Sequence, residues 1–497
     1  MSSPTDDTRH LVVVGGGITG LAAAWEASSA PDIRVTVVES STRLGGKIRT
    51  SMLELPTGPL TVDEGADNFL AREPEAVELC EELGLGDELT QPSAGRAAVW
   101  DPGSVGPDAG PGRLRWYPTR HVLGVPLEVE DLAATGIMSA EGLAAVAAEV
   151  DRVDPPPVDD VSIGELLAER FGRELVDRVV GPLVGGINAG DIDELSLRSV
   201  TPQLAAAAAE GGSLTLALRR RVATAASSGP VFRAMRGGTG RMVAVLSDRL
   251  GDRGVDVRTG TGVTTIRRAE DGRALVVLGD GSSLVADAVV VATPASAAAR
   301  VVAELDPDAS AELERIVHVP ATFVTFAVRH DDLVGLQGAS GVLVPRDAGL
   351  LATAVSFGSL KWPHWDDGTH AVLRVAAGHR RDDRPSGMDD DELVAALRGD
   401  LNTVLGLTAA PVATRVTRWE PGFAQYQVGH ADLVGRIESS LAASAPGVRV
   451  AGADLGGLGI PACIRQGRAA ARALLDSTPT RSRTTGPRAI NPRTRVT

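Results

Sequence analysis

The sequence predicts an α/β fold, a wound parallel sheet joined to an α+β second lobe with a helical insertion, and three observations predict it. Residues 10–39 pass from a buried apolar run to a helical period and back, which is one βαβ unit. Residues 122–221 are rich in Ala and Leu at helical spacing. Residues 317–328, 340–355 and 370–377 alternate as antiparallel strands do and break the βαβ rhythm. At 497 residues the chain is too long for one typical core and long enough for two lobes.

In chain order, the opening unit reads as strand 10–15, helix 18–29 and strand 34–39. Residues 62–85 read as a turn and a helix, with Glu75, Glu78, Glu81 and Glu82 on its wet face, Leu79 and Leu83 on its dry face, and Gly84 as C-cap. The Gly- and Pro-dense stretch 101–112 (DPGSVGPDAGPG) predicts an exposed loop, and 154–160 (DPPPVDD) forces a turn within the helical insertion. Helix 240–250, strands within 255–267, a hairpin around Gly279-Asp280-Gly281 and strand 287–292 return the chain to the parallel unit. Helix 391–405, strands 412–419 and 448–452 and helix 464–475 follow. The Arg-bearing tail 477–497 is expected to be disordered. The expected division is 1–95, 231–300 and 412–476 for the parallel unit, 96–121 and 301–411 for the second lobe, and 122–230 for the insertion.

A net charge of -15 argues against a nucleic-acid binder, which needs clustered Lys and Arg. Cys80 and Cys463 are the two cysteines, far apart and without a CxxC partner, so neither a metal site nor a disulfide framework is expected and a reducing cytoplasm fits. The polar first ten residues leave no room for a signal peptide's apolar region. No run approaches the ~18 apolar residues of a membrane span, so membrane contact would be peripheral, with the insertion 122–230 as its place.

Gly15, Gly17 and Gly20 form GxGxxG between a strand and a helix. The first permits the tight turn, the second lets backbone approach a pyrophosphate, and the third allows close packing. The helix N-terminus then faces the phosphate charge. Glu39 ends the second strand near the ~20-residue offset at which a carboxylate accepts from ribose hydroxyls. Arg43-Leu44-Gly45-Gly46-Lys47 follows at once; read alone it is a surface turn, but a simple NAD domain needs no second glycine pair here. Near the other end of the chain, residues 448–468 (VRVAGADLGGLGIPACIRQGR) form a strand, a glycine-rich turn and a helix start. This turn offers the N–H groups of Gly457, Gly459 and Ile460 to negative charge on a reduced isoalloxazine. Two such loops at opposite chain ends imply one shared cofactor. The GG loop at 43–47 resembles that of large two-lobed flavoproteins, where it brings backbone and a basic side chain towards the diphosphate. This resemblance implies FAD in a Rossmann-type FAD-binding domain with an antiparallel-sheet substrate domain. Residues 287–294 (DAVVVATP) read as a strand beneath it, or blandly as an ordinary buried strand ending at Pro.

Over nearly its full length the chain resembles the protoporphyrinogen/coproporphyrinogen oxidases of the amine-oxidase-like flavoprotein superfamily, most of all their soluble bacterial branch. The residues that carry the resemblance are 63–85 (DEGADNFLAREPEAVELCEELGL), 181–202 (GPLVGGINAGDIDELSLRSVTP), Lys361-Trp362-Pro363, Arg418-Trp419 and 457–467 (GLGIPACIRQG). By resemblance, FAD contacts fall on Gly15, Gly16, Gly17, Ile18, Thr19 and Gly20, then on Glu39, Ser40, Arg43, Gly46 and Lys47. Further contacts fall on Gly65, Ala66, Asp67 and Asn68, on Val263 and Trp419, and on Gly457, Leu458, Gly459 and Ile460. The resemblance implies that a porphyrinogen loses hydrogens in three two-electron rounds, with hydride passing to flavin N5, dioxygen reoxidising the flavin, and hydrogen peroxide released.

Such chemistry is centred on the flavin and requires no certain catalytic side chain. Ile187, Asn188 and Ala189 match the family segment bordering the substrate cavity, and Arg72 lies at or beside a basic residue of related soluble enzymes; read blandly, Arg72 is a solvated side chain at a helix start. The implied partners are a porphyrinogen, dioxygen and, transiently, the next haem-pathway enzyme, with no nucleic acid. Kinship with the soluble branch favours coproporphyrinogen III over protoporphyrinogen IX. A flavin amine oxidase is a rival, but such enzymes usually carry aromatic side chains near the C-terminal motif and 452–460 has none. A carotenoid desaturase shares Gly-Ile-Pro but not the Asn188 segment, and a non-catalytic FAD-binding protein would bind the cofactor without turnover.

Overall fold

Val12, Val13, Val37, Val289 and Val290 are fully buried and offer no side-chain hydrogen bonds, so a parallel sheet covered on both faces is the arrangement that hides them. The computed structural model, which describes residues 8–103, 112–224, 229–333, 335–336 and 338–477, contains that sheet. Its five parallel strands run in the order Asp256–Arg258, Ile33–Val38, Arg9–Val14, Ala288–Val291, Val448–Val450. This is a Rossmann-type order, in which the connections leave the first strand towards both sides and open a crevice at the strands' carboxyl ends.

Helix Ile18–Ala27 packs on the sheet through Ala22, Ala23, Ala24 and Ala27, all fully buried. Small residues let the last helix, Ile460–Ser477, come close. A Cβ on Gly467 would lie 2.1 Å from the Thr19 carbonyl oxygen, so only glycine fits this crossing. Two helix N-termini from opposite ends of the sequence are thereby set side by side. The last helix starts at Ile460 and not at 464, because Pro461 sits in its first turn, where a missing N–H costs nothing.

The second sheet has seven strands, in the order Ala413–Ala424, His318–Arg329, His370–Ala377, Ala352–Phe357, Ala339–Leu343, Arg96–Asp101, Arg113–Trp116. It is antiparallel except where Ala339–Leu343 runs parallel to Arg96–Asp101, so the expected antiparallel sheet is mixed at one pair. Strand Ala413–Ala424, allotted on sequence to the parallel unit, is instead the edge of this sheet. Its length equals that of His318–Arg329, and its pairing with that strand gives its backbone groups partners. The insertion's helices run from Val129 to Thr224, interrupted by turns that include 136–139, 154–160, 189–196 and 209–213. Its core holds the buried pair Arg170–Glu149 (3.3 Å), where Glu149 also accepts from the N–H groups of Leu214 and Thr215 at the start of a helix. Most of the loop 101–112 and residues 478–497 lie outside the described residues. Among the described residues no helix is long and apolar enough to cross a membrane.

Hairpin Thr50–Leu55/Gly58–Asp63 was not evident from the sequence. It ends on a buried carboxylate: Asp63 Oδ1 accepts from Thr50 Oγ1 (2.5 Å) and from Thr239 N and Oγ1 (both 2.9 Å), whereas Oδ2 has no partner. Burial pushes its pKa from 3.8 to about 6 against those hydrogen bonds. A raised carboxyl pKa favours the folded state below pH 3.8, and that benefit is lost as pH rises towards 6. Asp63→Asn is therefore expected to gain about 1–3 kcal/mol relative to the native chain at pH 7.5 and nothing at pH 3.5, read from urea unfolding at both pH values. An equal effect at the two pH values would contradict this.

Candidate cofactor and substrate site

The turn between strand Arg9–Val14 and the first helix is shaped by its glycines. Gly15 has φ +106°, and a Cβ there would meet the Ala292 carbonyl oxygen at 2.5 Å; a Cβ on Gly20 would meet the Gly15 oxygen at 1.9 Å. Around Gly17, by contrast, nothing lies within 4 Å of the Cβ position. Gly17 is also the N-cap residue of the helix, without a side chain to satisfy the first N–H groups. An open backbone patch at a helix N-terminus fits a diphosphate.

The ribose end is equally defined. Glu39 follows the second strand, its Oε2 accepting from Gly16 N and its Oε1 from Ser41 N, both at 2.7 Å. Residues 260–262 lie against it: Thr261 N donates to Glu39 O, Gly260 N to Ser41 O, and a Cβ on Gly262 would lie 3.4 Å from Ser40 Cβ. These contacts bring Val263, at the start of strand Val263–Arg268, beside Glu39 and Ser40. Glu39→Ala removes an acceptor of charge-assisted hydrogen bonds, which contribute about 1.5–3 kcal/mol each. The variant is expected to bind FAD roughly ten- to a hundredfold more weakly in a fluorescence titration of apoprotein. Native affinity would exclude Glu39 from the ribose site.

The GG loop lies against this turn, with Gly45 N donating to Gly16 O and a Cβ on Gly46 lying 3.3 Å from Gly17 Cα. Its basic side chains depart from expectation. Arg43 donates to the carbonyls of Leu44 (3.2 Å), Gly46 (2.5 Å) and Ile48 (3.3 Å), bracing its own loop. Lys47 is turned towards the second sheet, where its Nζ donates to Gly422 O; burial lowers its pKa, opposed by the nearby Asp454. The loop therefore offers the diphosphate its backbone, while Arg43 braces the loop and Lys47 ties it to the second sheet.

Segment 65–68 follows the hairpin. A Cβ on Gly65 would lie 2.1 Å from Lys47 O and 3.4 Å from Trp419 Cζ2, while Trp419 Nε1 donates to Glu64 O at 3.2 Å. Gly65, Lys47 and Trp419 thus meet. Asp67 is buried; burial alone would raise its pKa, but Arg374, then Lys361 and the Trp362 N–H, hold it at about 2.

At the C-terminal turn, the Gly457 N–H does not face outward. It donates to Tyr426 Oη at 2.8 Å, and that hydroxyl in turn donates to Ala453 O. Tyr426, stacked on His430 at 4.1 Å, is an aromatic support that the sequence around 452–460 could not reveal, since it comes from a separate segment. Cys463, in the helix that follows, has its thiol pushed up to about 11 by burial, which keeps it inert near neutral pH. Asp454 accepts from Ala295 N (2.6 Å) and pairs with His318 (2.7 Å), and the buried Thr293 hydroxyl beside it has no partner. An orphaned hydroxyl at the carboxyl ends of parallel strands is an observation that fits a polar ligand there.

The expected substrate residues Ile187, Asn188 and Ala189 come from the insertion. A π-helical run, Val176–Gly185, contains Pro182 and leads into Gly186–Asn188; Ala189 then takes φ +46°. Ile187 is 57% exposed, whereas Asn188 is buried and donates to Val184 O at 2.8 Å. Gln425 donates to Asn188 O and Arg380 N to Ala189 O, tying the segment to the second lobe. Arg72 is exposed, and its guanidinium faces the amide of Gln203 in helix Pro202–Ala208; in the orientation that satisfies both groups, the amide oxygen accepts at 2.9 and 2.5 Å.

Known proteins resemble this chain over most of its length. Residues 18–475 match the family described as flavin containing amine oxidoreductase. The chain is 31% identical to the coproporphyrinogen III oxidase of Bacillus subtilis (strain 168), over 94% of this chain and 98% of that one. It is 34% identical to the coproporphyrinogen III oxidase of Mycobacterium tuberculosis (strain ATCC 25618 / H37Rv), over 92% and 95%. A crystal structure from Exiguobacterium sp. 255-15, provisionally named a protoporphyrinogen oxidase, superposes with a TM-score of 0.81 at 30% identity, covering 95% of this chain and 99% of that one.

Proposed function

The chain belongs to the flavin-containing amine oxidoreductases and is an FAD-dependent oxidoreductase; from that premise we propose that it oxidises coproporphyrinogen III to coproporphyrin III. The observation that carries this reading is the end-to-end likeness to coproporphyrinogen III oxidases, which spans the parallel sheet, the second sheet and the insertion alike. Bound FAD supplies the two-electron acceptor, and reoxidation by dioxygen gives hydrogen peroxide. Each round takes two hydrogens from the macrocycle and reduces one dioxygen, and three rounds convert porphyrinogen to porphyrin.

The protein's own residues bind and orient. Gly15 to Gly20, Glu39 and Ser40, the loop of Arg43, Gly46 and Lys47, Gly65 to Asn68, Val263, Trp419 and Gly457 to Ile460 hold the cofactor. Exposed Ile187 offers an aliphatic wall to the macrocycle, with Asn188 and Ala189 fixing its place. Arg72, facing the insertion, offers its guanidinium to a propionate. Protoporphyrinogen IX is the second reading, favoured by the name of the Exiguobacterium structure.

Fluorescence assays of the purified holoenzyme with each porphyrinogen test the proposal. Coproporphyrin is expected to form faster than protoporphyrin. Arg72→Ala is expected to raise KM for coproporphyrinogen about two- to fivefold, the worth of one exposed ion pair, with FAD content unchanged. No porphyrin from either substrate would overturn the assignment, and a faster reaction with protoporphyrinogen would favour the second reading.

A further inference from the structure

The Lys361-Trp362-Pro363 motif belongs to none of the turns described above, yet two of its side chains converge on the cofactor segment 65–68. Trp362 is fully buried, and its Nε1 donates to Asp67 Oδ2 at 3.2 Å. Asp67 Oδ1 accepts from Asn68 Nδ2 (2.5 Å) and pairs with Arg374 Nη2 (3.2 Å). Arg374 Nη1 donates to the Gly65 carbonyl at 2.8 Å, so the guanidinium touches the segment's backbone directly. Lys361 completes the group from the far side. Its ammonium lies 4.9 Å from the centroid of Trp362 and 5.4 Å from that of Phe232, and among the described residues it has no hydrogen-bond acceptor. Burial lowers the Lys361 pKa, and the charge that opposes this is Asp67.

Within the Asp67–Arg374–Lys361 group one buried carboxylate stands against two cations; of the neighbouring buried carboxylates, Glu64 pairs with Arg49 and Arg415, and Asp63 is held by Thr50 and Thr239. Buried charge in a region of low dielectric acts over distance more strongly than the same charge in water. Reduction of FAD places negative charge on its ring, and preorganised positive charge stabilises such a state. We propose that the Asp67–Arg374–Lys361 cluster raises the reduction potential of the bound FAD. The proposal rests on residues 65–68 contacting the cofactor. It is tested without any porphyrinogen, so its failure is distinct from failure of the substrate reading.

The test is the two-electron potential of the FAD-loaded protein, measured by slow enzymatic reduction against a reference dye for the native chain, Lys361→Gln, Lys361→Arg and Asp67→Asn. Lys361→Gln is expected to lower the potential by about 30 mV or more, one tenfold change in a two-electron equilibrium. Lys361→Arg keeps the charge and should hold the native value. Asp67→Asn removes the anion and should shift the potential upward; this shift decides the matter if Lys361→Gln fails to fold. A native potential in FAD-loaded Lys361→Gln, an equal fall in Lys361→Arg, or no rise in Asp67→Asn would overturn the proposal.

Discussion

Gly20→Ala is expected to yield protein without FAD and to cost about 1–3 kcal/mol of stability. The added Cβ would lie 1.9 Å from the Gly15 oxygen and 3.1 Å from both the Gly15 carbonyl carbon and Val13 Cγ1. Two of these three neighbours are backbone atoms of the strand end and turn, which cannot rotate away as a side chain can. Moving Gly15 is no escape, because it already lies against Ala292 and holds a left-handed φ. The helix start must shift, and the diphosphate cradle with it. Gly17→Ala is the contrasting variant: with open space at its Cβ position it should fold with native stability and lose only affinity for FAD. Absorbance ratios after gel filtration, together with thermal melts, separate the two. Full FAD occupancy in Gly20→Ala would contradict the turn geometry.

Arg374→Met is expected to be the most damaging single change in the second sheet. Breaking a buried ion pair by removing one partner costs about 3–5 kcal/mol, because the remaining charge is left uncompensated. Asp67 keeps Trp362 and Lys361 nearby but loses its direct cationic partner, and Gly65 O loses its donor. The pH dependence carries the sign. Asp67 has a folded-state pKa of about 2, below its ordinary 3.8, so its stabilising contribution is complete above pH 3.8 and lost as pH falls towards 2. The gap between native and Arg374→Met should therefore be widest near neutral pH and narrow as pH falls from about 4 towards 2, by about 2 kcal/mol. Acid unfolding of both proteins measures it, and a gap that stays constant with pH would mean the loss is one of packing alone.

What could be read from the sequence and what could not divide along physical lines. The first βαβ unit was legible because strand and helix periods switch within a short window and glycine positions carry backbone meaning. Helices Ala295–Val302, Pro307–Glu314 and His430–Ser444 were not: Pro307–Glu314 has a weak apolar period, and Ala295–Val302, though amphipathic, spans only eight residues, half of them Ala. Asp67 was picked out by resemblance, but its partners were not. Arg374 and Lys361 lie about three hundred residues further on, and only the closing of the second lobe over segment 65–68 brings them together. The directions of Lys47 and of the Gly457 N–H were misjudged for the same reason: Gly422 and Tyr426 belong to an edge strand and its continuation that local sequence placed in the other unit.

The central claim is that electrons from a porphyrinogen pass to FAD held between these turns. Mixing the oxidised holoenzyme with coproporphyrinogen III in the absence of dioxygen, and following flavin absorbance and porphyrin fluorescence together, tests it most directly. The account predicts that the flavin bleaches as porphyrin appears, with three flavins reduced for each porphyrin formed. Porphyrin appearing while the flavin stays oxidised, or a flavin left unbleached by coproporphyrinogen III and protoporphyrinogen IX alike, would contradict it.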